Sequence, residues 1–449
     1  MRARLSAAGI ALALWSPSVG VVQAQDTTIT RPIVGDSITL PQAIRIALEQ
    51  DINVRTARNN VILDSLTVRQ LHNQFNPNLA ATVQTSQGYG SQNQNSFAMS
   101  GGLSSGLTLY NGRQNINSLR QAELNARASG YDVGRARQTV VFTVASDFLN
   151  LITQADQLGV QQENLVAQEQ ELRQQEAFAR AGTHPIGDLY QQQAAVAQTR
   201  FAVATARHAT EIAKVDLIEE LRLDPRATYT FVPPTGRIDS SSVITFNLDS
   251  LIAVALAQRV DVSAQIFRVE ASRRAILIAE GSRLPVVSAS LGYSSGLSSA
   301  ASGDFLSQLN QRRGGSLGLS VSIPIFDRGA AEIAKERALV GLDNELLQLR
   351  DEQHRVALEV RRAYLDYQAA GEQLAEATAQ SRAAALALQA AQARYSNGVA
   401  TFVEVTLARA ALIQAQSAAV NARSSVAFQQ ALMSYYTGVI GPANARVNR

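Results

Sequence analysis

Between Leu339 and Tyr395 the apolar positions recur alternately three and four residues apart, through Leu342, Leu346, Leu349, Val356, Val360, Ala363, Tyr367, Ala370, Leu374, Ala377, Ala384, Leu388 and Ala391. Gln353 and Ser381 are the polar residues that interrupt the series. A 3-4 spacing sustained this long predicts one helix with a coiled-coil seam. The seam resumes after a turn at Val405, Ala408, Leu412, Ala415, Ala419, Ala422 and Val426. Earlier in the chain, Val144, Leu151, Leu158, Leu165 and Leu172 recur every seven residues. Many seam positions are alanine, so helix axes can approach closely and each helix can pack on both sides. One helix from Gly112 to Ala181 would be about 100 Å long at roughly 1.5 Å per residue. That exceeds the width of a globular domain of this size, and a rod is required.

Elsewhere the period changes from helical to two. In Val286 to Ser294, Val287, Ala289, Leu291 and Tyr293 alternate with Ser288, Ser290, Gly292 and Ser294. From Leu317 to Ile325, Leu317, Leu319, Val321, Ile323 and Ile325 alternate with Gly318, Ser320, Ser322 and Pro324. Leu79 to Tyr89 and Leu103 to Leu109 carry weaker versions. Such runs suit a half-buried soluble strand or a membrane-barrel strand. Their length is near the 9–11 residues of a tilted spanning strand, about what a bilayer requires. Their polar face is mostly Ser and Gly, as a water-filled lumen allows, and with the rest of the chain committed to long helices no layer remains to cover the apolar face. The candidate lipid-facing residues are therefore Val287, Leu291, Leu317, Leu319, Val321 and Ile323. Four strands cannot close a barrel, because known single-chain barrels begin at about eight, and open edges are not tolerated in lipid. Strands pooled from two chains or from three would both satisfy this argument.

The whole plan occurs twice. Thr39-Leu40 and Asn247-Leu248 open similar helical segments, and Pro77 and Pro285 keep the same separation of 208 residues. Further on, Phe148-Leu149-Asn150 matches Tyr364-Leu365-Asp366, Gly182 matches Gly398, and Asp188 matches Glu404, now 216 apart. An eight-residue insertion in the Gly/Ser-rich stretch from Ser294 to Gly315 accounts for the change. A period near 210 residues is duplication of an entire unit, not a short-repeat solenoid. The expected divisions are a first repeat over 39–223 with strand pair 78–110, a connector over 224–246, a second repeat over 247–438 with strand pair 286–326, and a tail over 439–449.

The N-terminus adds a location. Arg2 and Arg4, the apolar run Ala7 to Leu14, and Val22-Gln23-Ala24 form a secretory signal peptide over 1–24, followed by an extended segment over 25–38. Its loss lowers the formal charge from +3 to +1. A balance so near zero, together with export, argues against nucleic acid as partner. The sequence contains no cysteine, which excludes disulfides, thiolate chemistry and a lipid-bearing N-terminal Cys. After the signal no run approaches the ~18 apolar residues of a membrane helix, so any span must be built from strands. His72, His184, His208 and His354 lack metal-ligand spacing, and Gly88-Tyr89-Gly90 lacks a phosphate-loop context. No catalytic residue, metal site or cofactor is expected.

In this arrangement the chain resembles the TolC-like outer-membrane efflux and secretion channels. The resemblance covers nearly all of the mature chain. It rests on Leu40-Pro41-Gln42-Ala43-Ile44 and its counterpart at Leu248, on the Pro77 and Pro285 junctions, on Leu109-Tyr110-Asn111-Gly112 and Pro324-Ile325-Phe326-Asp327-Arg328-Gly329, and on Ala393-Arg394-Tyr395-Ser396-Asn397-Gly398. It implies a mainly α fold with a membrane β-barrel: a long coiled-coil helical tunnel plus four strands per protomer, closed as a homotrimer with a twelve-stranded barrel in outer-membrane lipid. It also implies a passive duct whose helices cross the periplasm and dock, through a periplasmic adaptor, onto an inner-membrane RND or ABC transporter.

The resemblance further implies that the turns at Gly182-Thr183 and Gly398-Val399 form the periplasmic tip and adaptor contact. Asp188 and Glu404 then narrow the entrance as rings of negative charge that favour cations, and Tyr395 helps to latch the closed state. Ala400 stands where an arginine latch partner can occur, and Leu407 where a second acid can, so the gate is held either more weakly or by other contacts. Each of these residues also has a plainer reading. Asp188 and Glu404 suit the first turn of any helix, the two glycines are turn formers, and Arg113 and Arg328 are interfacial anchors or solvated charges. A periplasmic coiled-coil adaptor or scaffold without a pore would share the signal and the hairpins, but would not need four amphipathic strands.

Overall fold

The structure is a computed structural model that describes residues 37–89, 96–232, 247–299 and 304–439. The signal peptide, most of the connector and nearly all of the tail lie outside the described residues. The first repeat contains β1 (Ser37–Thr39), α1 (Leu40–Gln50), α2 (Ile52–Asn73), β2 (Ala80–Gly88), β3 (Ser96–Asn111), α3 (Gln114–Ala181) and α4 (Ile186–Glu220). After β4 (Thr230–Val232) the second repeat contains α5 (Leu248–Gln258), α6 (Val260–Gly281), β5 (Val286–Ser298), α7 (Phe305–Gln311), β6 (Gly314–Ser322), α8 (Ala330–Ser396) and α9 (Phe402–Tyr436). Helix lengths repeat nearly residue for residue: 11 and 11 for α1 and α5, 22 and 22 for α2 and α6, 68 and 67 for α3 and α8, 35 and 35 for α4 and α9.

Seam alanines and aliphatics bring these helices side by side. Towards the strands the packing order is α2-α3-α6-α8; beyond the middle it becomes α4-α3-α9-α8. Seam residues Val356, Val360, Ala363, Tyr367, Ala370, Leu374, Leu388 and Tyr395 are buried, as are Val144 and Leu151, whereas Leu339 near the strand end is 40% exposed. Midway along the rods, α1 packs on α3 and α5 on α8. There Val140, Val141, Val144 and Phe148 of α3 join Ala43, Ile44 and Ala47 of α1 and Leu217 of α4 in one apolar cluster. Beside it, β1 pairs in parallel with β4, drawing the connector back to the start of the first repeat.

The other four strands form one antiparallel sheet in the order β2-β3-β5-β6. Val287 faces Val321, Ala289 faces Leu319, Leu291 faces Leu317, and Tyr293 faces Leu103 on β3. Directly paired residues share a face, so one side of the sheet is apolar. Ser288, Ser290, Ser294, Gly102, Ser104 and Ser320 fall on the other. Leu317 is 84% exposed, Leu319 68% and Leu291 58%, so nothing among the described residues covers these apolar positions. Among the described residues no strand pairs with the outer edge of β2 or of β6.

Several elements differ from the sequence reading. Each opening helix is two helices, because Asp51 and Arg259 adopt extended backbone and break the run. α5 and α6 meet at 51°, and only as that bent pair do they pass a length-and-apolarity test for a span; no single described helix does. β3 begins at Ser96, well before Leu103, because β5 supplies partners along its length. β6 ends at Ser322, which leaves Ile323 and Ile325 exposed beyond the strand. Part of the extra length in the second repeat forms α7, which packs on β5.

At the second break Arg259 is 1% exposed. Its guanidinium forks onto Asp261, at 3.0 and 2.5 Å, and reaches Glu359 of α8 at 2.5 Å. Arg135 of α3 approaches Asp261 at 3.4 Å and stacks over Tyr435 of α9. Burial opposes the charge of Arg259, but the two carboxylates hold it firmly protonated; burial likewise works against Asp261, whose carboxyl is nonetheless held below its usual range by the arginines. Removing one partner of a buried network strands the others without compensation, at about 3–5 kcal/mol. Arg259→Met is therefore expected to lower the thermal unfolding midpoint of the detergent-solubilised protein, followed by circular dichroism. Arg259→Lys should not restore it, because an ammonium cannot reproduce the fork.

Candidate functional site

The far ends of the two hairpins form the candidate site. Ala181 ends α3, and Gly182 follows in the left-handed region at φ 68°; Gly398 does the same after α8 at φ 70°. No atom lies within 4 Å of where a Cβ would stand on either, so the backbone conformation alone calls for glycine. In both turns the chain caps the outgoing helix: Thr183 N–H donates to Phe178 O, and Val399 N–H to Arg394 O. Gly182, Thr183, Gly398 and Val399 are all exposed.

Asp188 and Glu404 occupy equivalent places in the first turns of α4 and α9, yet their surroundings differ. Asp188 is half-buried and accepts a hydrogen bond from the Tyr395 hydroxyl, 3.0 Å from Oδ2. That contact joins the second hairpin to the first. Glu404 pairs with Arg394 of its own hairpin at 3.2 Å, and both side chains are largely open to solvent. Tyr395 is buried, with Phe402 and His184 around its ring, and His184 stacks on Phe178. Burial pushes the Tyr395 phenol up to about 12, reinforced by the hydrogen bond to the Asp188 carboxylate and its charge. Ala400 packs against this aromatic cluster and Leu407 is exposed.

Sequence reasoning missed a ladder of buried polar groups behind the tip. Gln175, 1% exposed, lies 3.2 Å from the Tyr395 hydroxyl through its Oε1. One turn away Glu171 meets Arg409 of α9 at 3.4 Å, with both side chains nearly buried. Burial pulls Arg409 down, and Glu171 partly offsets it. Beyond these, Gln192 of α4 donates to the Gln168 carbonyl at 2.7 Å and to its Oε1 at 2.8 Å. The tip is thus tied across helices by hydrogen bonds where apolar seam residues would be expected. The seven-residue spacing of Gln168 and Gln175 was a visible signal. For the Arg259 cluster the signal was the match of Asp51-Ile52-Asn53-Val54 to Arg259-Val260-Asp261-Val262 across the repeats.

Long paired helices continuing into an uncovered amphipathic sheet define a subunit of a membrane-embedded duct. The outer membrane efflux protein family matches residues 43–221 and 251–438, the two repeats in turn. The chain belongs to that family and serves as an exit duct of the outer membrane. No curated protein matches it. Among solved structures it resembles CusC, with 19% identity over 89% of this chain and 92% of that one and a TM-score of 0.79. VceC of Vibrio cholerae matches at 16% identity over 89% and 96%, with a TM-score of 0.74. The open-state MtrE channel of Neisseria gonorrhoeae matches at 19% over 89% and 88%, also at 0.74. At these identities the likeness is one of fold.

The Tyr395–Asp188 contact has a defined pH signature. An unfolded tyrosine ionises near 10, whereas Tyr395 in place does so at about 12. Between those values the unfolded chain has released a proton that the folded tip still holds, so stability falls as pH rises through this window. In Tyr395→Phe this alkaline component is expected to vanish, and amide hydrogen exchange of the tip at neutral pH should quicken by about 1–3 kcal/mol of lost protection, the usual cost of an unmade buried bond.

Proposed function

We propose that three copies of the chain close into a single duct, with a twelve-stranded barrel in the outer membrane and a helical tunnel reaching through the periplasm. The observation that carries this is the four-stranded sheet, apolar on one side and unpaired at both edges, which no other described residues complete. The helices repeat the pattern. In the strand half Ile62 and Leu66 stand exposed on α2 at one end of the row, and Ile333, Val340 and Leu347, seven apart, on α8 at the other. Apolar stripes at opposite edges suit closure with further copies of the same chain.

In this reading Leu291, Leu317, Leu319 and Val321 face lipid, and Val287, half-buried, does so near the rim. Ile323 lies just past the strand and meets the headgroup layer. The tip turns receive a periplasmic adaptor, which couples the duct to an inner-membrane RND or ABC transporter. Asp188 and Glu404 give two acidic rings at the mouth: one is held by Tyr395, the other neutralised in part by Arg394. Residues 1–24 direct export and are removed.

Planar-bilayer recording tests the reading. Protein purified from outer membranes is expected to run at three times the chain mass by native mass spectrometry and to give discrete, cation-favouring currents. The double variant Asp188→Asn/Glu404→Gln should conduct with that preference reduced. A folded, soluble monomer that never enters the bilayer would favour the coiled-coil scaffold instead.

A further inference from the structure

Where the rods meet the sheet, α3, α6 and α8 enclose a cavity of about 770 Å³. Arg113 just before α3, Arg120 of α3, Arg274 of α6, and Lys335 of α8 line it, with Arg283 beside them. The apolar share comes from Ile116, Leu277 and Leu284, each about 40% exposed. Lys335 pairs with Glu280 at 3.0 Å, and Arg283 pairs with Glu332. Arg113, Arg120 and Arg274 have no ion-pair partner among the described residues. Three unneutralised guanidinium groups around one cavity repel each other and are suited to a shared multivalent anion. Arg113 is held there at a left-handed φ of 64°, which is unusual for an arginine.

Position selects the kind of anion. Arg113 follows β3 by two residues, and Leu284 precedes β5 by two, so the cavity lies at the rim of the sheet on the helix side. The heptad series through Lys335 continues to Leu342, Leu349 and Val356, and the last two pack against α5. The cavity therefore opens on the side of the helix row that carries α5, which must be the outer side if the duct is to stay unobstructed. An outer rim of an outer-membrane barrel lies in the headgroup layer of the periplasmic leaflet. We infer that this cavity binds the phosphate of an anionic phospholipid, with the arginines gripping its oxygens in fork geometry and the acyl chains leaving past Ile116 and Leu284 towards the apolar face. Basic pockets at membrane-facing junctions recognise such headgroups.

The inference rests on the duct reading, and the test separates the two. Detergent-purified oligomer is titrated with phosphatidylglycerol, phosphatidylcholine or glycerol 3-phosphate, and retained molecules are counted by native mass spectrometry. The same preparation is recorded in planar bilayers. Phosphatidylglycerol is expected to bind about tenfold more tightly than phosphatidylcholine, and Arg113→Gln/Arg120→Gln/Arg274→Gln should abolish the difference while still forming conducting oligomers. If the triple variant fails to assemble, Arg274→Gln alone should reduce the preference by a measurable part. Equal retention of the two lipids, or a preference that survives in the conducting variants, overturns the lipid site but leaves the duct. Glycerol 3-phosphate displacing the lipid at equal concentration overturns it in favour of a soluble phosphate ligand. Failure of the wild type to insert or conduct counts against the duct itself.

Discussion

A strand edge in hydrocarbon has no solvent to satisfy its backbone, and each bare N–H or C=O costs several kcal/mol there. β2 and β6 both present such an edge. Much of the remaining architecture follows from that constraint. The sheet can exist in a bilayer only as an arc of something closed, so the chain must be shaped as a sector. The helices continue the sector: they lie side by side in a row, and the strips left uncovered at the two ends of the row are apolar. Duplication extends the row, since two halves with the same order of elements pack beside each other through β3–β5 and α3–α6.

The rods and the alternating strands were legible because each is a periodic burial pattern, and periodicity survives in a single sequence. What escaped depended on partners far along the chain. Arg259 is a buried charge held by Glu359, a hundred residues later, and no local pattern announces that partner. Gln168, Gln175 and Gln192 are buried by partners distant in sequence, Gln168 and Gln192 on each other across α3 and α4, and Gln175 on Tyr395 of α8. The strand ends were misjudged for a similar reason. Ile323 and Ile325 keep the alternation that defines β6, but pairing with β5 stops at Val286, and a strand lasts only as long as its ladder. In the other direction, β3 extends through serines and glycines of little β-propensity because it is hydrogen-bonded on both sides.

Equivalent positions in the two repeats have not kept equivalent work. Asp188 and Glu404 occupy the same turn of the same helix, yet one is held by a buried phenol across hairpins and the other by an exposed arginine within its own. Salt would weaken the second by screening and leave the first nearly untouched. The break before α2 is an ordinary aspartate cap; the break before α6 is the centre of an ionic cluster. The two hairpins therefore end in unlike tips, one tied to its neighbour and one tied to itself.

The uninterrupted length of α3 has a mechanical consequence. Phe148 sits in the apolar belt that fixes the rod at mid-height, and Ala181 ends it, so the free arm is on the order of 50 Å at 1.5 Å per residue. Turning such an arm about its fulcrum by ~5° sweeps its end through roughly 4 Å, more than the reach of a hydrogen bond. A small push at the waist is thus amplified into a displacement at the far end large enough to part a tyrosine from a carboxylate, with no helix bending along the way.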